Sequence, residues 1–161
     1  MNTFDYISKV TENIYFGKYP CNEVITILKQ LNITIILNLT QDTENLPDYA
    51  TEINCTIINF PIVDRKCGKY NDTIELIKRL SNLLHNKIYI HCKGGHGRSG
   101  LICGGLYSYL YNTNYDETIN ILKKAHDNRK IMSDKMRFLG APQTRIQKNQ
   151  LKKLIEYFNS I

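Results

Sequence analysis

The sequence contains no run of about 18 or more consecutive apolar residues, so it offers no candidate transmembrane helix. Its first residues, Met1-Asn2-Thr3-Phe4-Asp5-Tyr6, lack the basic-then-apolar order of a secretory signal. Asn2 stands where N-myristoylation needs a glycine, and no prenylation cysteine lies at the C-terminus. These absences make a cytoplasmic location the expectation. Internal repeats, low-complexity tracts and linker-like stretches are also missing, so residues 1–161 are read as a single domain with one core. Proline is scarce, and Pro20, Pro47, Pro61 and Pro142 all fall between periodic segments, as turn punctuation should. The five cysteines are odd in number and irregular in spacing, which excludes a disulfide framework. In a reducing compartment a special cysteine must be picked out by its neighbours.

What is present is ordinary for a globular protein: 42% hydrophobic and 22% charged residues. The net charge of +6 is unevenly placed, because basic residues crowd the stretch Lys123 to Lys153, where the acids are Asp127 and Asp134. Such a stretch either attracts anionic partners or forms a solvated helical face.

Ile14 to Gly17 reads as a short strand. The β-branched runs Ile33 to Leu39, Cys55 to Phe60 and Lys87 to His91 read as buried strands. Helical spacing of apolar residues appears in Glu23 to Leu31 and again through Ile74, Ile77, Leu80 and Leu84, the second helix starting near Asn71 or Asp72 as a cap. Leu101 to Tyr111, Asp116 to His126 and Gln143 to Phe158 complete the helices. Strands alternate with helices early and helices follow late, which predicts an α/β fold with a central, mostly parallel sheet flanked by helices.

The chemically informative segment is His91-Cys92-Lys93-Gly94-Gly95-His96-Gly97-Arg98-Ser99-Gly100, at a strand-to-helix junction. Helix N-termini in α/β proteins bind anions, because their free N–H groups and dipole favour negative charge. Glycines let consecutive amides converge, and the positive field favours the thiolate form of Cys92. Arg98 can return to the same cavity and grip two phosphoryl oxygens with its planar fork. The stretch also fits a dinucleotide fingerprint, Gly95-x-Gly97-x-x-Gly100. The acidic partner which that reading requires is missing, because Asp116-Glu117 opens another helix, and Cys92 and Arg98 would go unexplained.

With its preceding histidine and following serine, this segment resembles the signature of the protein tyrosine phosphatase superfamily, His-Cys-x5-Arg-Ser/Thr. Asn13 to Lys18 and Ile35 to Thr40 are similar to strands of its dual-specificity branch, and Gln143-Thr144-x-x-Gln147 is similar to its late glutamine motif. The resemblance implies a phosphate loop built from Lys93, Gly94, Gly95, His96, Gly97 and Arg98, with Cys92 as nucleophile. It also implies that Ser99 stabilises the departing thiolate, with a helix N-cap as the alternative role, and that Gln143 and Gln147 position the hydrolytic water.

A phosphate ester needs its leaving oxygen protonated. Asp64, on the loop Phe60-Pro61-Ile62-Val63-Asp64, is the candidate acid, with Asp72 and Asp42 as competitors. His91 either orients the loop or is a buried, satisfied histidine. Cys67, close to Asp64 in sequence, is either an idle thiol or a partner for a protective disulfide with Cys92. No cofactor or metal is expected, since His91, Cys92 and His96 match no structural zinc spacing.

The expected substrate is a phosphorylated protein, at phosphotyrosine and phosphoserine or phosphothreonine alike. The alternatives are a phosphoinositide, an RNA 5′-phosphate, or a silent phospho-binding module. Lys93 and His96 make the loop basic, as the lipid-phosphatase branch does, though that branch has lysine rather than histidine at the second place.

Overall fold

The computed structural model describes residues 4–161. One five-stranded sheet is formed by β1 (Ile7–Lys9), β2 (Ile14–Gly17), β3 (Ile35–Asn38), β4 (Thr56–Asn59) and β5 (Ile88–His91). Their spatial order is β1-β2-β5-β3-β4, with β1 antiparallel to β2 and the other pairs parallel. The expected mostly parallel sheet is therefore present, with β1 as an additional antiparallel edge. The register aligns Gly17, His91, Asn38 and Asn59 along the carboxyl ends of the parallel strands.

The helices are α1 (Asn22–Gln30), α2 (Tyr70–Ser81), α3 (Gly97–Tyr111), α4 (Tyr115–Asp127), α5 (Asp134–Leu139) and α6 (Arg145–Ser160). Because side chains alternate across a strand, Phe16, Leu37, Ile58 and Ile90 face one core with residues of α2, α3, α4 and α6. Tyr15, Ile36 and Tyr89 face the other core with Val24, Ile25 and Leu28 of α1. From Gly97 to Leu106 the helix α3 is buried on every side, which fits its central place between the sheet, α2, α4 and α6. Burying that helix and β5 together fixes the junction between them.

Some boundaries differ from the sequence reading. The N-cap of α2 is Lys69, so Asn71 and Asp72 lie in its first turn; Lys69 donates no side-chain cap, and Asp72 sits where the helix dipole favours an acid. Helix α3 begins at Gly97, with His96 at its N-cap position, so Ser99 is inside the first turn and is not the cap. Helix α6 begins at Arg145 because Thr144 caps it, its side chain accepting from the Gln147 N–H while Gln147 Oε1 accepts from Thr144 N–H. Gln143 therefore precedes the helix and does not share a helical face with Gln147.

Candidate active site

Strand β5 delivers His91 and Cys92 to the carboxyl edge of the sheet, and the chain turns through Lys93 to His96 into α3. Gly95 makes this turn feasible. Its φ is +80°, and a Cβ there would sit 2.1 Å from the Gly17 carbonyl carbon, so the loop rests directly on the end of β2. Tyr19 N–H donates to Lys93 O at 3.2 Å, tying the same loop to the segment after β2.

A pocket of about 270 Å³ opens here, lined by Asp64, Arg65, Cys92, Lys93, Gly94, His96, Gly97, Arg98, Met136 and Gln143. Cys92 is buried, with its Sγ 3.4 Å from the buried Ser99 Oγ. That hydroxyl is placed to donate to the sulfur once it carries negative charge.

Arg98 is only 2% exposed, although it lines the pocket. Its Nη1 donates to Glu44 Oε2 at 2.8 Å and to Ile62 O at 2.9 Å, and its Nη2 donates to Glu44 Oε1 at 2.9 Å. Burial disfavours the guanidinium charge, but the Glu44 hydrogen bonds and the fields of Cys92, Glu44 and Asp64 together raise its pKa. The same hydrogen bonds hold the Glu44 carboxyl below its ordinary value, against the opposing effect of burial. Glu44 ends a short 3-10 turn, Asp42–Glu44, just after β3. Sequence reasoning missed it. The signal was available, since the turn follows a core strand at the same edge that made Asp42 a candidate.

Asp64 stands at the rim, 65% exposed, with Oδ1 3.4 Å from Arg98 Nη2. Its competitors lie elsewhere: Asp72 is on α2, and Asp42 lines a separate groove of about 500 Å³ with Thr40, Asp48 and Tyr49. His91 is fully enclosed, and both ring nitrogens have partners. Its Nδ1 is 3.0 Å from the Cys92 carbonyl and its Nε2 is 2.6 Å from Tyr49 Oη. A carbonyl only accepts, so Nδ1 carries the proton and Nε2 accepts from the tyrosine. Burial pushes the His91 pKa down to about 4, so the ring is neutral and its Nδ1–H fixes the orientation of the Cys92 carbonyl.

Gln143 lines the pocket, and Gln147 does not. Gln147 is buried beneath the loop; its Oε1 serves the α6 cap and its Nε2 donates to Lys66 O at 3.2 Å. Cys67 is half-buried in another groove with Tyr70 and Ile146, and does not line the pocket of Cys92. His96 does not add positive charge to the loop: burial and the neighbouring Arg129 push its pKa down to about 4. Of the basic stretch, Arg129 is buried and Arg137 is spent on the Asp127 and Arg129 carbonyls, so that stretch is only partly a charged surface.

The profile of the family described as "Dual specificity phosphatase, catalytic domain" matches residues 14–159. The chain belongs to that family. A relative named "Putative tyrosine phosphatase 197R", from Invertebrate iridescent virus 6, is 29% identical over 137 residues, covering 80% of this chain and 51% of the relative. The chain thus spans about half the length of that viral relative. A "Phosphatidylinositol 3,4,5-trisphosphate 3-phosphatase cnrN" from Dictyostelium discoideum is 32% identical over 119 residues, covering 63% of this chain and 18% of the relative. Among solved structures, Tk-PTP in its active form superposes with a TM-score of 0.77 at 21% identity, covering 94% of this chain and 97% of that one. This last likeness is one of fold. No helix among the described residues is long and apolar enough to cross a membrane.

Proposed function

We propose that this phosphatase-family chain hydrolyses phosphate monoesters of proteins by covalent catalysis on Cys92. The observation that carries the reading is the convergence of Cys92 Sγ, the buried Arg98 fork and the rim carboxylate of Asp64 on one pocket at the N-terminus of α3. The Cys92 thiolate attacks phosphorus, and Arg98 with the loop amides stabilises the equatorial oxygens. As the P–O bond breaks, the Asp64 carboxyl gives its proton to the leaving oxygen. In the second step the Asp64 carboxylate takes a proton from water as the water oxygen attacks the thiophosphate. The sulfur leaves as thiolate with the Ser99 hydroxyl donating to it, and inorganic phosphate departs. Gln143, which lines the pocket, orients that water in this reading. The positive charge in this scheme comes from Arg98 and the helix end, and turnover is expected to survive a chelator. Cys92 must remain a thiol for the chemistry, which suits a reducing compartment such as the cytoplasm.

Turnover of an aryl phosphate, blocked by vanadate, tests the reading; binding of phosphate analogues without turnover would leave a silent phospho-binding module. A second reading, an inositol-lipid phosphatase, is supported by the exposed Lys93 in the loop and by the name of the Dictyostelium relative. The neutral His96 counts against it.

A further inference from the structure

Behind the phosphate loop lies a group of polar side chains that the scheme above does not use. His96 Nδ1 is 2.7 Å from Nε2 of the fully buried His126. Arg129, 3% exposed, passes beneath the loop. Its Nε donates to Ser8 Oγ at 2.7 Å, its Nη2 to the Gly95 carbonyl, and its Nη1 lies 3.4 Å from the same His96 Nδ1. Arg129 makes no ion pair with a carboxylate among the described residues. His126 Nδ1 is buried there with no hydrogen-bond partner.

These contacts determine where the protons are. A guanidinium only donates, so the His96 nitrogen facing Arg129 must be bare. The single proton between the two rings then sits on His126 Nε2 and is donated to His96 Nδ1. His126, neutral with that proton, has a bare Nδ1, which matches its lack of a partner. A proton on His96 Nδ1 would instead oppose an N–H to an N–H at Arg129. A doubly protonated His96 would set two cations side by side with no carboxylate between them, and burial with Arg129 already pushes its pKa down to about 4. The remaining nitrogen, His96 Nε2, must therefore carry the proton. It is directed away from this buried pair: a Cβ built on Gly94 would lie 3.4 Å from it. Gly94 and His96 form a wall shared by the Cys92 pocket and an adjoining one lined by Lys18 and Arg129.

We propose that His126 and Arg129 are positioning residues that lock His96 as its neutral Nε2–H tautomer, making it a hydrogen-bond donor to an oxygen of the bound phosphorylated substrate. This rests on the phosphatase reading of the pocket. The oxygen belongs either to the phosphoryl group or to the substrate backbone beyond it, and the choice of substrate in the test separates the two.

Long-range proton–nitrogen NMR of the intact wild-type protein reads the tautomers directly. His96 and His126 should both show a protonated Nε2, and His91 should show the opposite, a protonated Nδ1, as an internal contrast. A protonated Nδ1 on His96 overturns the proposal. In kinetics, His96→Leu should raise KM by about three- to tenfold with kcat nearly unchanged, the size of one lost hydrogen bond. His96→Gln, whose amide nitrogen reaches the position of Nε2, should recover much of that loss. An effect on aryl phosphate and phosphopeptide alike assigns the phosphoryl oxygen; an effect on the phosphopeptide alone assigns the backbone oxygen. No effect on either removes His96 from substrate contact and sinks the proposal. In His126→Phe, Arg129 still faces His96 Nδ1 and should keep that nitrogen bare with the proton on Nε2, whereas His126→Phe combined with Arg129→Leu should release His96 into mixed tautomers. A single Nε2–H tautomer retained in the double variant would take the lock away from both residues. If the wild type turns over no phosphate ester, the function fails separately. The His96 Nε2 resonance, followed while inorganic phosphate and then a phosphopeptide is added, still reads the contact.

Discussion

Arg98 and Glu44, 54 residues apart in sequence, meet as a two-point ion pair, Nη1–Oε2 at 2.8 Å and Nη2–Oε1 at 2.9 Å. The pair holds the planar guanidinium against the wall of the Cys92 pocket, with the Ile62 carbonyl as a third anchor. A flexible arginine would have to be ordered at each turnover, whereas one held by a carboxylate meets the phosphoryl group already oriented.

Replacing Glu44 by Gln leaves one acceptor and removes the charge opposite a buried cation. The expected cost is about 1–3 kcal/mol of stability, together with about a tenfold or larger fall in kcat/KM. The stability part has a pH signature. Folding lowers the Glu44 carboxyl below its ordinary 4.5. The stabilisation is therefore complete above that ordinary value and is lost as pH falls through the folded one. Thermal melts of wild type and Glu44→Gln should differ by a constant amount near neutrality and converge on acidification below about 4.5. A gap that persists unchanged in acid would mean that the ion pair is not its source.

Cys92→Ser should abolish turnover while retaining binding of phosphate or vanadate, because a serine hydroxyl at neutral pH is a far weaker nucleophile than a thiolate. Asp64→Ala should behave differently. Protonation matters most for a poor leaving group, so a phosphotyrosine peptide should lose far more kcat than an ester with an activated aryl leaving group. The basic limb of the pH–rate profile should disappear in this variant. Equal losses on both esters, or an intact basic limb, would take the acid role away from Asp64. Asp42 faces the neighbouring groove and would be the next acid to examine.

The parts of this protein that were legible in its sequence are those written as local patterns. The β-branched runs gave β3, β4 and β5, and the apolar spacing gave α1 and α2, because each buries a periodic face. The Cys92–Arg98 loop is one continuous segment, so its composition marked it as the candidate site, and it lines a pocket at the N-terminus of α3. What escaped depends on contacts distant in sequence. Strand β1 is three residues long and exists by pairing with β2. Helix α5 has six residues and leaves Phe138 90% exposed, so it shows no amphipathic stripe. Glu44 has no local mark beyond its place after a strand. Arg129 looked like one more surface cation, and only the loop lying over it reveals it as a buried strut. Gln143 and Gln147 are spaced as one helical face, yet Thr144 caps the helix between them.

That last correction yields a prediction that separates two residues the sequence paired. Gln147 is 1% exposed and its carbonyl oxygen accepts from the Gln143 and Thr144 N–H groups. Gln147→Ala should lower the melting temperature, by an amount typical of a lost cap at about 1 kcal/mol, and affect rate only through that loss. Gln143→Ala should fold normally and slow breakdown of the thiophosphate. Rapid-mixing experiments should then show a larger burst of released alcohol followed by a slower steady state. A burst seen with Gln147→Ala and not with Gln143→Ala would reverse the assignment.

The substrate class can be resolved through Lys93, which is exposed in the phosphate loop and forms no ion pair among the described residues. Sequence alone placed two basic residues in this loop, but burial keeps His96 neutral, leaving Lys93 as the loop's exposed cation. An inositol lipid carries several phosphates in a small ring and needs several cations nearby to offset their repulsion. A phosphopeptide presents one phosphoryl group on a backbone of mixed charge. Lys93 and the exposed Arg65 on the pocket wall, with the exposed Asp64 beside it, suit the mixed charge of a phosphopeptide better. Comparing kcat/KM over a panel of phosphopeptides and phosphoinositides should therefore rank the peptides first, with Lys93→Ala reducing all substrates by a similar, modest factor that shrinks as salt is raised. A preference for inositol lipids that collapses selectively in Lys93→Ala would overturn the protein-phosphate reading and make the loop lysine a lipid-headgroup contact.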